Sequence, residues 1–190
     1  MSQSSLLLLL FHPDLSRSRA NRVLVEAVRG LPGVKVHDVY TASSGNRINV
    51  AEEQALLVAH PLIVFQHPFY WYSGPALMKE WMDRVLEQGF AFPPGVGDRL
   101  RGKRWLSVVT TGGAEDAYRS GGFNNYTMSE LLRPFQQTAN LCGMSWLPPF
   151  VVHGVLPPGI EGFRNISDEE LHRRGEAYRQ LLAGLIAEGA

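Results

Sequence analysis

The sequence predicts an α/β fold in which an open, five-stranded parallel sheet carries helices on both faces, a three-layer sandwich. Apolar runs that suit buried strands alternate with amphipathic stretches that suit helices along the 190-residue chain. Neither an internal repeat nor a linker interrupts this alternation, so residues 1–190 are expected to form a single domain. Crossovers between parallel strands are right-handed, and the leading strand order for such a domain is 2-1-3-4-5.

The first half of the chain contains three predicted strands and three predicted helices. Residues 5–11 are apolar throughout, as a strand covered on both faces should be. Residues 34–40 alternate between apolar and polar, which suggests a strand nearer the edge, and a third strand is expected at 62–65. Asn49 and the glutamate three residues later resemble a capping box. The predicted helices cover residues 18–29, about 49–60 and 75–85.

The second half contains two more strands and two more helices. Residues 87–103 are rich in Gly and Pro and predict a long excursion before the fourth strand. The fifth strand is expected to bend at Pro148-Pro149, and Ser167 with Glu170 forms the pattern of a capping box before a closing helix. The predicted strands cover residues 104–111 and 144–152, and the helix between them about 129–142.

Composition excludes several classes of protein. Eighteen basic and 18 acidic residues give a formal net charge of zero, and no basic run exists, so nucleic acid is not expected as a partner. A single cysteine, Cys142, excludes an intrachain disulfide, and no cluster of metal ligands occurs. The run at 6–11 is too short to span a bilayer and lacks the flanks of a signal peptide. A cytoplasmic location is expected.

Two loops flank the point where this strand order reverses, which is where ligands bind in open parallel sheets. The first, 12–18, leads into a helix whose free N–H groups favour an anion, with Ser18 as a plausible N-cap and Arg17 or Arg19 adding charge. Taken alone, a capped surface helix with solvated arginines is the simpler reading. Its position in the fold favours a phosphate, although no GxGxxG or GxxxxGK[ST] motif occurs.

The second loop, Phe69-Tyr70-Trp71-Tyr72, combines backbone N–H groups with ring faces, a combination that suits an isoalloxazine ring. Alternatively, Trp71 and Tyr72 plug the end of the sheet or pack at a subunit interface. At the end of the fourth strand, Thr110-Thr111-Gly112-Gly113 offers hydroxyls and unobstructed N–H groups that can follow the pyrimidine edge of a flavin. That motif is weak alone, and its position beside the switch point gives it weight.

Together, these motifs resemble the flavodoxin-like NAD(P)H:quinone oxidoreductases, in particular the branch of ancillary quinone reductases of Kef-type, glutathione-gated potassium efflux systems. The resemblance covers nearly the whole chain. It is carried by His12-Pro13 with Ser18–Asn21, Gln66-His67-Pro68 through Trp71-Tyr72-Ser73, Leu77–Val85, Gly89-Phe90-Ala91, Thr110–Gly113 and Cys142–Pro149.

The resemblance implies a homodimer with a flavin at each subunit boundary, FMN rather than FAD, and ping-pong hydride transfer from NAD(P)H to quinones. It implies that the phosphate and ribityl end is held by His12, Ser18, Arg19, Ala20 and Asn21. It implies that the ring is held by Pro68, Phe69, Tyr70, Trp71, Tyr72, Thr110, Thr111, Gly112 and Gly113. Tyr118 stands where better-known members use a catalytic tyrosine, but Asn124 stands near the position of their histidine. Tyr118 is equally readable as an ordinary loop tyrosine.

Other functions and roles are also open. The chain is alternatively a soluble regulatory subunit of a potassium efflux antiporter, located peripherally at the inner membrane through that partner. A one-electron carrier of the flavodoxin kind is disfavoured, because such carriers are usually strongly acidic. The helical stripe that follows the aromatic loop is interpreted as a dimer surface, with burial in the core as the alternative. This stripe consists of Leu77, Met78, Trp81, Met82 and Val85.

Overall fold

The computed structural model describes residues 5–43, 47–93, 97–156 and 165–189. The strands are β1 (Leu6–Leu10), β2 (Val34–Asp38), β3 (Leu62–Pro68), β4 (Arg104–Thr110), β5 (Ser145–Trp146) and β6 (Phe150–Val152). The α-helices are α1 (Ala20–Val28), α2 (Val39–Ala42), α3 (Val50–Ala59), α4 (Ala76–Val85), α5 (Met128–Leu131), α6 (Arg133–Leu141) and α7 (Asp168–Glu188). Short 3₁₀ helices lie at Leu15–Arg17 and Glu115–Ala117.

The sheet is parallel and its strand order, β2-β1-β3-β4-β5, confirms the predicted topology. The predicted fifth strand is divided in two. β5 pairs with the start of β4 at Arg104 and Trp105, and β6 pairs with its end at Val108–Thr110. Pro148 and Pro149 lie between them, and because proline has no N–H the ladder is interrupted there.

The two faces of the sheet have separate apolar cores. Leu7 and Leu9 of β1 point into the core formed with α3, α4 and α6, whereas Leu8 points into the core formed with α1 and α7. Because side chains alternate along a strand, an apolar run such as β1 can fill both cores, and all five of its residues are buried. The three-layer arrangement that the sequence predicts is therefore present.

Three local expectations need correction. Tyr40, expected in the second strand, lies in α2, because the Asp38 side chain accepts a hydrogen bond from the backbone N–H of Thr41 and ends the strand. The helix expected at 129–142 consists of α5 and α6, and Pro134 lies in the first turn of α6. A complete capping box starts α5 one residue earlier than expected, with Thr127 and Glu130 as its members.

The predicted capping boxes at α3 and α7 form only in part. Asn49 and Ser167 each accept a hydrogen bond from the N–H three residues along, as expected. At α7 the Glu170 carboxylate, which would complete the box, contacts Arg173 at 2.6 Å instead. Across the described segments, no helix combines the length and apolar character that a membrane crossing requires.

Candidate functional site

The loops after β1, β3 and β4 meet at the carboxyl-terminal edge of the sheet. Backbone hydrogen bonds continue the strand pairing into these loops, from Phe11 N to Gln66 O at 2.9 Å and from Phe69 N to Thr110 O at 2.8 Å. Parallel pairing brings together loops that are far apart in sequence. The aromatic loop, the loop 12–18 and the Thr-Thr-Gly-Gly loop therefore border one region of the surface.

A buried polar network fixes α1 against this edge. The amide nitrogen of Asn21 donates to Oγ1 of Thr110 at 2.8 Å, and Gln66 Nε2 donates to the Asn21 carbonyl at 3.1 Å. The Tyr178 hydroxyl in α7 donates to Gln66 Oε1 at 3.3 Å. Because its side chain is buried in this network, Asn21 acts on the site by aligning the start of α1 with β3 and β4. If the Asn21 side chain were to contact a bound phosphate, it would have to give up its hydrogen bond to Thr110.

The Arg19 side chain is also engaged within the protein. Its Nε donates to Asp168 Oδ1 at 2.8 Å and its second terminal nitrogen to the Ile166 carbonyl at 2.6 Å, which ties α1 to the start of α7. The resemblance implies a role for Arg19 at the phosphate and ribityl end of the flavin, which stays a prediction, and in this structure its guanidinium is bonded to Asp168 and Ile166. Arg17, in the adjacent 3₁₀ helix, is exposed.

The start of α1 nevertheless retains free donors. Ser18 Oγ accepts a hydrogen bond from Asn21 N at 3.1 Å, and its hydroxyl proton remains available for a second bond. Arg19 holds the N-cap position, where no side chain caps the helix. In the described part of the chain, the N–H groups of Arg19 and Ala20 have no acceptor. Such first-turn N–H groups bind anions readily.

His12 lies half-buried at the end of β1. Its Nδ1 accepts a hydrogen bond from the Asp14 backbone N–H at 3.1 Å, which leaves the proton of the neutral ring on Nε2. Burial lowers the pKa of His12, and the charges of Asp14 and Asp38 partly oppose this shift. A neutral ring that presents an N–H is therefore the resting form at this position.

The aromatic loop contains a strained turn. Ser73 N donates to Tyr70 O at 3.0 Å, and the two central residues, Trp71 and Tyr72, have φ values of 49° and 61°. Positive φ at both central positions is typical of a type I′ turn, which favours Asn and Gly. Bulky residues in this region cost about 1–3 kcal/mol each. Trp71 is also 94% exposed, so its own packing does not offset that cost.

Two neighbours brace this turn from the protein side. The Tyr72 hydroxyl donates to Asn124 Oδ1 at 3.2 Å, which joins the aromatic loop to the segment after the Thr-Thr-Gly-Gly loop. The Phe69 ring makes edge contacts with Tyr72 and Tyr118, with centroids 6.2 and 6.3 Å apart. Phe69 therefore lies inside the cluster, whereas Trp71 lies outside it.

His67, at the end of β3 close to this turn, has a structural role. It is fully buried, and Nδ1 bonds to the carbonyl of Pro68 at 3.0 Å. Burial lowers its pKa to about 4, so the ring is neutral at physiological pH. The glycine at position 74 makes room here, since a Cβ on Gly74 would lie 2.6 Å from the sulfur of Met78.

Both glycines of the Thr-Thr-Gly-Gly loop pack closely against neighbouring side chains. A Cβ on Gly112 would lie 2.8 Å from Leu156, and one on Gly113 would lie 2.8 Å from the Tyr118 ring. The Thr111 hydroxyl and the Tyr118 hydroxyl are hydrogen-bonded to each other. Burial raises the pKa of Tyr118, which keeps its phenol protonated. Tyr118 therefore packs directly on the loop that the motif assigns to a flavin ring.

His153 follows β6, and the sequence shows no Asp or Cys partner for it. Its ring centroid lies 5.3 Å from that of Tyr118. Spacing along the chain gives no signal for this contact, because it depends on β6 pairing beside the end of β4. A titratable imidazole therefore lies next to the candidate catalytic tyrosine although the loop after Gly113 contains no histidine.

Large aromatic side chains are exposed around this edge. Trp71, Phe123 and Tyr126 are 94%, 78% and 58% exposed, and Tyr70 and Tyr72 are about half exposed. Exposed apolar patches of this kind mark ligand or protein interfaces. The stripe on α4 is divided. Its members Met78, Trp81 and Val85 are buried in the core, and Leu77 and Met82 are only partly buried.

Neither a metal site nor a reactive thiol is found among the described residues. Within the described ranges, no group of three or more His, Cys, Asp or Glu side chains is placed to hold a metal ion. Cys142 is buried at the end of α6, and burial raises its pKa to about 11. A protonated, enclosed thiol is a poor nucleophile.

Comparisons with known proteins agree with this geometry. The family described as "Flavodoxin-like fold" matches residues 4–180. The chain is 46% identical over 190 residues to the glutathione-regulated potassium-efflux system ancillary protein KefG of Escherichia coli O1:K1 / APEC, covering 100% of this chain and 98% of that protein.

Two solved structures are similar over almost their whole length. The general stress protein 14 of Treponema denticola, crystallised in complex with FMN, is 32% identical with a TM-score of 0.86, covering 95% of this chain and 99% of the other. An NADPH-quinone reductase from P. pentosaceus is 34% identical with a TM-score of 0.79, covering 93% and 96%.

Proposed function

The chain belongs to the family with the flavodoxin-like fold, and on that premise we propose that it is an FMN-dependent NAD(P)H:quinone oxidoreductase. The observation that carries the proposal is the meeting of three loops at one sheet edge. A helix start with free N–H groups, an exposed aromatic turn and the Thr-Thr-Gly-Gly loop lie side by side. The FMN complex and the quinone reductase among the similar structures support it.

The residues present fit the phosphate end of FMN through the backbone. A phosphate dianion is matched by the N–H groups of Arg19 and Ala20, the Ser18 hydroxyl and the positive end of the α1 dipole. His12, in the same loop 12–18, adds a half-buried N–H donor. Asn21 keeps this set aligned through its bond to Thr110.

The ring end fits the two remaining loops. Gly112 and Gly113 pack closely against Leu156 and Tyr118, and the buried hydroxyls of Thr110 and Thr111 bond to Asn21 and Tyr118. The loop would therefore meet a planar ligand through its backbone. Pro68, Phe69 and Tyr70 form the base of the opposite wall, and the exposed turn at Trp71 and Tyr72 its outer part. When bound, FMN supplies hydride exchange between NAD(P)H and a quinone, and the protein orients the reactants.

This arrangement favours a two-electron, ping-pong reaction. The site lies at an open edge lined with aromatic rings, where donor and acceptor can each lie flat in turn. Tyr118 is the catalytic residue we assign, because its protonated hydroxyl on the Thr111 side can donate a hydrogen bond to developing negative charge. FMN is proposed rather than FAD because the similar general stress protein 14 was crystallised in complex with FMN.

The exposed aromatic rings also support a homodimer. Trp71, Phe123 and Tyr126 are too exposed to contribute to the core of one subunit, and the partly buried Leu77 and Met82 lie on the helix that follows the aromatic loop. A second copy packed here would cover the outer part of the site. We therefore place each flavin at a subunit boundary.

A second candidate function rests on a separate observation. The 46% identity over the full chain is to a protein named as the ancillary component of a glutathione-regulated potassium-efflux system. The chain would then also bind a membrane antiporter, at the cytoplasmic face of the inner membrane, and regulate it. Both functions are compatible, because an oxidoreductase bound to an antiporter can report the supply of its own substrates.

The proposal is tested on purified protein loaded with FMN. We expect one FMN per chain, bleaching of the bound flavin by NADPH without oxygen, and recovery of the colour on addition of a soluble benzoquinone. A chain that takes up no FMN at millimolar excess contradicts the proposal. Flavin that binds but is bleached by neither NADH nor NADPH supports the regulatory alternative, which co-purification with a potassium antiporter from membranes then tests.

A further inference from the structure

A glutamine occupies a core position of β3 where the strand pattern predicts an apolar side chain. Leu62, Val64 and Gln66 alternate along the strand on the face covered by α1 and α7, and all three are buried. A primary amide has one acceptor oxygen and two N–H donors, and a buried one needs partners for them. The partners of Gln66 therefore indicate what this position does.

The hydrogen bonds around Gln66 run in one direction. Its Nε2 donates to the main-chain carbonyl of Asn21 at 3.1 Å and lies 3.3 Å from Oδ1 of the same residue. Because a carbonyl oxygen only accepts, this contact fixes the amide, and Oε1 must face Tyr178. The Tyr178 hydroxyl then donates to Oε1 at 3.3 Å. At the other end, the Asn21 amide nitrogen faces Thr110 and donates to its Oγ1 at 2.8 Å.

Tyr178 is the donor that keeps this chain of bonds in its direction. Its ring is fully buried and packs on Phe150 with the centroids 5.3 Å apart, so a phenylalanine would fill the same space. Burial raises the pKa of the Tyr178 hydroxyl, which therefore stays protonated. Among the described residues, Gln66 is the only hydrogen-bond partner of this hydroxyl. Without it, nothing prevents the Gln66 amide from turning its oxygen towards Asn21.

Helix α7 holds the start of α1 at two points. Arg19, the N-cap residue of α1, donates through Nε to Oδ1 of Asp168 at the start of α7, at 2.8 Å. Asn21, the second residue of α1, is held through the glutamine by Tyr178, further along α7. The N–H groups of Arg19 and Ala20, which are proposed to bind the FMN phosphate, lie between these two attachments.

We propose that Tyr178 is a positioning residue for the phosphate of FMN. Its hydroxyl orients Gln66, which holds Asn21, and the first turn of α1 is thereby fixed against β3 and β4 with its N–H groups aligned. This inference rests on the proposed function. Riboflavin has the ring and ribityl chain of FMN but no phosphate, so it gains nothing from the alignment. The closing helix therefore contributes to the preference for phosphorylated flavin.

The test compares Tyr178→Phe with Leu182→Val, a change of another fully buried residue on α7 that makes no side-chain hydrogen bond. We measure the affinities for FMN and for riboflavin by flavin fluorescence. Tyr178→Phe is expected to weaken FMN binding about tenfold, the equivalent of one hydrogen bond, and to leave riboflavin binding within about twofold of wild type. Leu182→Val reduces core packing only, so both affinities should match wild type.

A double mutant tests whether Tyr178 acts through Gln66. Gln66→Met keeps the length of the side chain and removes its polar atoms, so it should lower the preference for FMN over riboflavin by a similar factor. Adding Tyr178→Phe to Gln66→Met should cause no further loss, because both residues belong to one chain of bonds. A second, equal loss in the double mutant would show that the two residues act independently and would overturn the inference.

A measurement on flavin-free protein follows the chain of bonds directly. The side-chain amide protons of Asn21, seen by NMR, should exchange with solvent on the order of tenfold faster in Tyr178→Phe than in wild type. In Leu182→Val their exchange should be unchanged. Equal exchange rates in Tyr178→Phe and wild type would overturn the inference whether or not flavin binds.

The outcomes separate this inference from the proposed function. If Tyr178→Phe loses affinity for FMN and riboflavin equally, general loosening of the fold explains the loss and the inference fails alone. Unchanged FMN affinity in Tyr178→Phe also overturns only the inference. Wild-type protein that takes up no FMN contradicts the proposed function, and with it the role of Tyr178 at a phosphate.

Discussion

The indole nitrogen of Trp81 donates a hydrogen bond to Oε2 of Glu53 at 2.8 Å inside the core between α4 and α3. The other carboxylate oxygen of Glu53 lies 2.7 Å from Nε2 of His37 in β2. Glu53 is only 4% exposed, so both partners depend on it. This buried carboxylate joins three elements and fixes α4, the helix that follows the aromatic loop.

Replacing this carboxylate should destabilise the fold. In Glu53→Ala, the buried indole N–H loses its acceptor and a cavity remains, so we expect the free energy of unfolding to fall by about 3–5 kcal/mol. Urea unfolding measures this. Glu52→Ala, one residue earlier and exposed, should change stability by less than about 1 kcal/mol. Equal effects of the two changes would show that the Glu53 network contributes nothing.

Stability should fall as pH decreases from about 6.5 towards 4 because of His67. The folded protein keeps this ring neutral down to about pH 4, whereas the unfolded chain takes up a proton near 6.5. The unfolded state therefore binds more protons in this window, and stability is lost by up to about 1.4 kcal/mol per pH unit. His67→Asn should show a shallower loss between pH 6.5 and 4.5 in urea unfolding, and His172→Asn should keep the wild-type slope.

Two substitutions of Trp71 can separate the cost of its positive φ from any contribution of its ring to FMN binding. Asn tolerates positive φ, so Trp71→Asn should keep or raise stability by up to about 1 kcal/mol. Trp71→Ala removes the same ring but keeps the strain, so it should be the less stable of the two. Both should weaken FMN binding by about tenfold if the ring contacts flavin. Thermal melts and flavin fluorescence titration measure these effects, and unchanged FMN affinity in both variants would remove Trp71 from the site.

Two glycine substitutions should have opposite effects. Gly113→Ala places a methyl group 2.8 Å from the Tyr118 ring, and we expect a loss of about 1–3 kcal/mol with weaker FMN binding. Gly184→Ala, in α7 with open space around it, should stabilise the protein by about 1 kcal/mol and leave FMN affinity unchanged. Urea unfolding and FMN titration check both. A Gly113→Ala protein that binds FMN normally would show that the packing of Tyr118 on Gly113 does not shape the FMN site.

Much of the fold can be predicted from the pattern of apolar and polar residues along the sequence. The run of five leucines in β1 predicts a strand covered on both faces, and alternation with amphipathic helices favours a parallel sheet. That order alone brings the loops after β1, β3 and β4 together. The predicted fifth strand is divided at Pro148 and Pro149 because proline has no N–H to donate to the sheet. The sequence predicts a bend there, but not how few residues pair on either side of it.

The roles of individual side chains at the site are harder to predict from the sequence. The resemblance assigns both Arg19 and Asn21 to the phosphate and ribityl end of the flavin, which stays a prediction. Only the structure shows that the Arg19 side chain bonds to Asp168 and that the Asn21 side chain bonds to Thr110. The sequence by itself determined the fold, the strand order and which loops adjoin, because these depend on periodicity and chain direction. Only the tertiary structure decided that Trp71 and Tyr72 adopt positive φ and that His153 packs on Tyr118, because both depend on contacts between segments distant in the chain.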